Sequence, residues 1–122
     1  MNFIATGKTS LAQILVPAAI AALMCVSGSV QAADIDVDAA MALAKKNDCF
    51  KCHAVDKTKK GPAYKKIAAK YKGKADGEEK VIKNFTTGPK VKLEDGTEED
   101  HKIIDTKDSK QIKNLAQWIL SL

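Results

Sequence analysis

The sequence predicts a small all-α domain, residues 33–122, behind an N-terminal export leader, residues 1–32. Three observations point there. Apolar residues recur at helical spacing in four separate segments. No run alternates apolar and polar residues as a half-buried strand does. The chain has 122 residues, which without the leader leaves room for one domain with a modest core.

The leader is read from three zones. Lys8 supplies a positive start, residues 11–26 are apolar apart from Gln13 and Pro17, and small residues follow as far as Val30-Gln31-Ala32. This is the order of a secretory signal, with cleavage expected before Ala33. The rival reading is an uncleaved membrane anchor. The apolar run is short for a span of about 20 residues, and Pro17 and the small residues favour cleavage. Met24 is bulky for the residue ahead of a lipidated cysteine, so Cys25 is expected to leave with the leader.

The first helix is expected over Asp38 to Asp48. Ala39, Ala40, Leu43 and Ala44 form a narrow small-residue stripe, and Asp36 or Asp38 can cap it. A second helix is expected to start at Gly61-Pro62, continue through Ile67, Ala68 and Tyr71, and end at Gly73. The third runs from an Asp76 cap to Thr87, with Val81, Ile82 and Phe85 inward and Gly88-Pro89 as its stop. The fourth is the clearest. Asp108 and Gln111 make a capping-box pattern, and Ile112, Leu115, Ile119 and Leu122 form one stripe with Ala116 and Trp118 beside it. Between the third and fourth helices, residues 89–107 read as a long polar loop without a strand. A loop of that length in so small a domain is usually functional.

Charge excludes one class. The basic residues are all lysines, 20 against 15 Asp and Glu, for a formal net charge of +5. Loss of Lys8 with the leader lowers that by one. No arginine is present to read a base edge or grip a phosphate bidentately, so nucleic-acid binding is not expected.

The chemistry lies in Cys49-Phe50-Lys51-Cys52-His53, a C-x-x-C-H motif with the spacing of c-type haem attachment. The two thiols add to the two vinyl groups of a porphyrin, and the adjacent His53 is the proximal iron ligand. A covalent haem also accounts for the thin apolar core, because it becomes the largest buried object. Three rivals remain. A thioredoxin-like dithiol needs βαβ units, and none is visible. A disulfide across so small a loop would constrain the unfolded chain weakly. A zinc site could draw on Cys49, Cys52, His53 and His101, but the spacing matches no common finger.

The sequence resembles the class I c-type cytochromes over nearly all of residues 38–122. The likeness rests on a helix leading into C-x-x-C-H, then Gly61-Pro62-Ala63-Tyr64, then a last helix ending Leu115-Ala116-Gln117-Trp118-Ile119-Leu120. It implies that the first and last helices cross closely, with Ala40 and Ala44 against Leu115 and Trp118. It also implies that the Pro62 carbonyl accepts a hydrogen bond from His53, and that Tyr64 lies near the haem edge. An ordinary half-buried core Tyr64 is the equal alternative.

The chain departs from that family at the sixth iron ligand. Most members use a Met in the loop before the last helix. Here Met1 and Met24 are in the leader, Met41 is on the first helix, and no Met follows Cys52. His101 stands in the corresponding loop and is the expected replacement. Lys90, Lys92 or Lys102, or an open or water-bound iron, are the competing readings. A second imidazole donates more strongly than Met and should lower the reduction potential.

The expected function is therefore that of a periplasmic electron carrier, with no catalytic residues of its own. The alternative is a haem sensor of small diatomic ligands with a labile distal site. Peroxidase-like catalysis fits worst, since no arginine and only two histidines are available. The lysines at 45, 46, 51, 57, 59, 60, 65 and 66 crowd the attachment motif and could steer an acidic redox partner. A monomer or weak dimer is expected, with no membrane contact once the leader is cut.

Overall fold

The computed structural model describes residues 34–122. The expected leader, residues 1–32, lies outside the described residues, as does Ala33.

Helix α1, Val37–Lys46, begins where Asp36 caps it, the carboxylate accepting from Ala39 N at 2.9 Å. It is shorter at its C-terminus than the sequence suggested. The Asn47 backbone N–H closes on Leu43 O, and Asp48 turns the chain with a left-handed φ of 58°. A separate one-turn helix, α2 (Cys49–Cys52), follows. Helix α3 is Tyr64–Tyr71, not a helix from Gly61-Pro62. The correction has a local cause: Gly61 N donates to Cys52 O and Tyr64 N to Ala54 O, so residues 61–63 are stitched back onto the chain around the attachment motif.

Helix α4, Gly77–Thr87, ends at Gly88, whose left-handed φ of 62° lets the chain reverse. Asp76 stands at its N-cap position without capping it, because its carboxylate bonds Lys80 Nζ at 2.7 Å instead. Helix α5, Ser109–Ser121, is capped by Asp108, which accepts from the Lys110 and Gln111 amides. The box is only half formed: Asp108 N donates to Thr106 Oγ1, and the Gln111 side chain bonds the Asp108 carboxylate.

The core lies where α5 packs on α1, α3 and α4. Leu115, Ala116, Trp118 and Ile119 are its contribution, with Ala40, Leu43 and Ala44 from α1 and Val81 and Phe85 from α4. Ala40, Ala44 and Ala116 let the backbones of α1 and α5 approach. Each large apolar side chain buried here contributes about 1.5–3 kcal/mol.

The helical class holds, with one addition. The 89–107 segment is not strandless. Strands β1 (Lys90–Lys92) and β2 (Glu98–Asp100) pair antiparallel, with Lys90 opposite Asp100 and Lys92 opposite Glu98. The loop between them closes through Gly96 N to Leu93 O and Leu93 N to Thr97 O, with Gly96 at φ 86°. That is the three-residue hairpin with glycine in the left-handed position. Asp95 secures it by accepting from both the amide and the hydroxyl of Thr97. Among the described residues, no helix is long and apolar enough to cross a membrane.

Candidate functional site

The motif helix α2 needs only one turn. Cys49 and Cys52, three residues apart, then lie on one side of it. His53 follows in extended conformation, φ −118°, so its ring leaves the helix direction. Neither cysteine is in a disulfide. Burial pushes the Cys49 thiol above its usual range, and contact with Tyr64 only partly opposes this.

His53 is held from several sides. Its Nδ1 lies 2.7 Å from Pro62 O, and since a carbonyl cannot donate, that nitrogen carries the proton and leaves Nε2 as the electron-pair donor. The Tyr64 ring stacks on it at 5.1 Å and 20° between planes. Burial favours the neutral ring and lowers the His53 pKa, while the bond to Pro62 opposes this. A metal needs that neutral form.

Tyr64 is 3% exposed and also meets Trp118 edge-on at 5.4 Å and Phe50 at 5.9 Å. Burial, reinforced by Cys49, raises its phenol well above the normal range. Tyr64 therefore packs in the core and also borders the cleft.

Gly61, which the sequence places at a helix start, has a specific task beside the His53 ring. A Cβ there would lie 2.8 Å from His53 Cε1 and 3.2 Å from Nδ1. Only glycine lets the chain pass the ring so closely. Sequence inspection offers no sign of this beyond the Gly-Pro pair itself.

Cys49, Cys52, His53, Gly61, Pro62, Tyr64 and His101 border one cleft of about 620 Å³. That size suits a ligand of porphyrin dimensions. Ile67, Val81, Phe85, Val91, Leu93 and Ile119 supply apolar walls. His101 arrives from the end of β2, and its ring centroid is 6.0 Å from that of His53, with the planes at 42°. Its backbone is fixed by Pro89 O and its Nδ1 bonds Lys102 O at 2.9 Å. Gly88 sits beneath it, where a Cβ would strike His101 O at 2.8 Å.

The competing ligands are placed differently. Lys90 bonds Asp100 and Lys102 bonds Asp48, while Lys92 also borders the cleft. Met41 is 42% exposed on α1 and does not line the cleft. Asp48 bonds both Lys51 and Lys102, and the two ammonium groups hold its carboxyl below the usual range. Of the lysines around the motif, 46, 51 and 65 are engaged with Asp105, Asp48 and Asp56. Among the described residues, no group of three or more His, Cys, Asp and Glu side chains is arranged to hold a metal by itself.

Comparison with known proteins agrees with this geometry. Residues 37–122 match the family model for cytochrome c. The chain is 35% identical over 113 residues to cytochrome c-552 of Nitrosomonas europaea, covering 84% of this chain and 89% of that protein. It is 40% identical to cytochrome c-551 of Allochromatium vinosum over 48 residues, a stretch spanning 51% of that relative. The crystal structure of the class 1 cytochrome MtoD from Sideroxydans lithotrophicus ES-1 superposes with a TM-score of 0.68 at 59% identity, covering 71% of this chain and 96% of that one. The thiol pair, the adjacent imidazole and the apolar cleft fit a covalently attached haem c, which excludes the dithiol, disulfide and zinc readings. The chain belongs to the cytochrome c family, as a class I c-type cytochrome.

Proposed function

We propose that this cytochrome is a periplasmic one-electron carrier whose iron is ligated by His53 and His101. Haem-based electron transfer follows from the family; the location and the second ligand are the finer reading. The haem, when bound, supplies one-electron chemistry at its iron. The residues of the chain hold it, orient its ligands and exclude water.

The separation of 6.0 Å between the two imidazole centroids carries the ligand assignment. With a metal–nitrogen bond of about 2 Å, rings at that separation could both hold one metal ion. Both Nδ1 atoms bond main-chain carbonyls, which leaves each Nε2 with a free electron pair that could bind a metal. The amines of Lys90 and Lys102 are already engaged with carboxylates. A filled coordination shell needs little rearrangement between oxidation states, which suits a carrier. It leaves no open site for a diatomic ligand, so nothing favours the sensor.

The reading of residues 1–32 as an export leader supports the periplasm. The segment from Lys45 to Lys74 contains 11 lysines and only two carboxylates, Asp48 and Asp56, which supports an acidic protein as redox partner. Such docking weakens as salt screens it beyond about 10 Å at 0.1 M.

Visible spectroscopy tests the ligand set. The ferric and ferrous protein should be low-spin and unmoved by carbon monoxide. His101→Ala should be high-spin in the ferric state and bind carbon monoxide when reduced. A His101→Ala protein that stays low-spin and ignores carbon monoxide would eliminate His101 as a ligand.

A further inference from the structure

Three consecutive residues at the junction of α1 and α2 reach across to the strap that carries His101, residues 101–105. Lys46 Nζ lies 3.9 Å from Asp105 Oδ2, Asn47 Oδ1 accepts from Asp105 N at 2.7 Å, and Asp48 Oδ2 is 3.3 Å from Lys102 Nζ. The three contacts are unequal. Both ion pairs are solvent-exposed, with side chains 45–91% exposed, so entropy and screening leave them little net strength.

Asn47 is different. It is 2% exposed and is the buried polar residue of the core. Its Nδ2 donates to Leu43 O at 2.9 Å while its Oδ1 takes the strap, so both ends of the amide are committed. On its other side the strap is tied by His101 N to Pro89 O and Ile104 N to Phe85 O. Asn47 is thus the buried side chain that fastens the His101 strap to the segment leading into Cys49, two residues on.

We propose that Asn47 is a positioning residue for the distal ligand: by clamping Asp105 N it keeps His101 on the iron and sets how often the strap opens. This rests on His101 being the sixth ligand. Without Asn47 the Asp105 amide loses its partner in a part-buried place, which is a penalty carried only by the closed strap.

The test mixes ferric holoprotein with cyanide in a stopped-flow instrument. Cyanide binds only after His101 leaves, so the rate reads strap opening. Asn47→Ala should remain low-spin without cyanide but bind it about tenfold faster, equivalent to ~1.4 kcal/mol in the opening equilibrium. Deuterium exchange at the Asp105 amide should accelerate in parallel. Asn114→Ala is the control for simple destabilisation. Asn114 tethers the other end of α1, accepting from Asp36 N at 2.9 Å and donating to Asp36 O at 2.8 Å. It should lower the melting temperature and leave the cyanide rate unchanged.

A wild-type rate in Asn47→Ala, or equal acceleration in Asn114→Ala, overturns the proposal. If Asn47→Ala does not accumulate as folded holoprotein, Asn47→Leu keeps much of the side-chain volume while removing the acceptor for Asp105 N. It should speed cyanide binding about tenfold as well; a wild-type rate there overturns the proposal. His101→Ala separates the two failures. Fast binding there with an unchanged Asn47→Ala removes only the positioning role, whereas slow binding in His101→Ala removes the ligand assignment and this inference with it.

Discussion

Replacing Gly61 with alanine should strike the proximal ligand directly. The added methyl would stand 2.8 Å from His53 Cε1 and 3.2 Å from Nδ1, against an ordinary carbon–carbon contact of about 3.5–4.0 Å. Gly61 has no positive φ, so the backbone itself tolerates alanine and the whole effect is the collision. The ring has little freedom to retreat. Pro62 O holds Nδ1 at 2.7 Å and Tyr64 stacks at 5.1 Å, so a shift of several tenths of an ångström weakens one or both contacts. Overpacking of this kind costs about 1–3 kcal/mol. For a domain of this size each kcal/mol lowers the melting temperature by roughly 4–8 °C, so a fall of about 4–24 °C is expected. The assay is thermal unfolding of the purified holoprotein followed at the haem absorption band, with the reduction potential measured alongside. The potential should move because the bond from His53 to Pro62 tunes the donor strength of the ring. A Gly61→Ala protein with the melting temperature and potential of the wild type would refute the close-approach argument.

Two further outcomes follow from the packing and the charges. Leu115→Ala removes a side chain that is 1% exposed in the centre of α5, and should destabilise the holoprotein by about 2–5 kcal/mol in urea titration, with the haem still attached. A loss under about 1 kcal/mol would mean that the core is not closed there. The Asp95 carboxyl is held below its usual range, first by the Thr97 hydroxyl and then by the Thr97 amide. A carboxyl depressed on folding stabilises the native state above its unfolded pKa, near 3.9, and that contribution disappears as pH falls through the lower folded value. Asp95→Ala should therefore be less stable than wild type at neutral pH, with the gap closing below about pH 4. A gap that stays constant from pH 7 to pH 2 in urea titrations would show that ionisation of Asp95 is irrelevant to the hairpin.

Much of the molecule was legible because its signals are local. The attachment chemistry is written in five consecutive residues, Cys49 to His53, and needs only one helical turn to become geometry. The caps Asp36 and Asp108 and the stripe through Leu115 and Ile119 act within a few residues of each other, so they mark α1 and α5 from composition and period alone. The start of α3 was misplaced because Pro62 obeys two demands. Its fixed φ suits a first helical position, but its carbonyl is taken by His53 and its neighbours are bonded to Cys52 and Ala54. The hairpin was missed because three-residue strands rich in Lys and Glu have no apolar alternation, leaving Asp95-Gly96 as the turn signal.

The sequence by itself determined that the chain is a mostly helical protein with a C-x-x-C-H attachment motif, and that no methionine follows Cys52. Only the tertiary structure decided how His101 stands relative to His53, why residue 61 must be glycine, and that Asn47 holds the His101 strap. The physical reason is sequence distance. The Asn47–Asp105 and Asp48–Lys102 contacts join residues 58 and 54 positions apart, and contacts that far apart leave no period, cap or turn pattern in the chain.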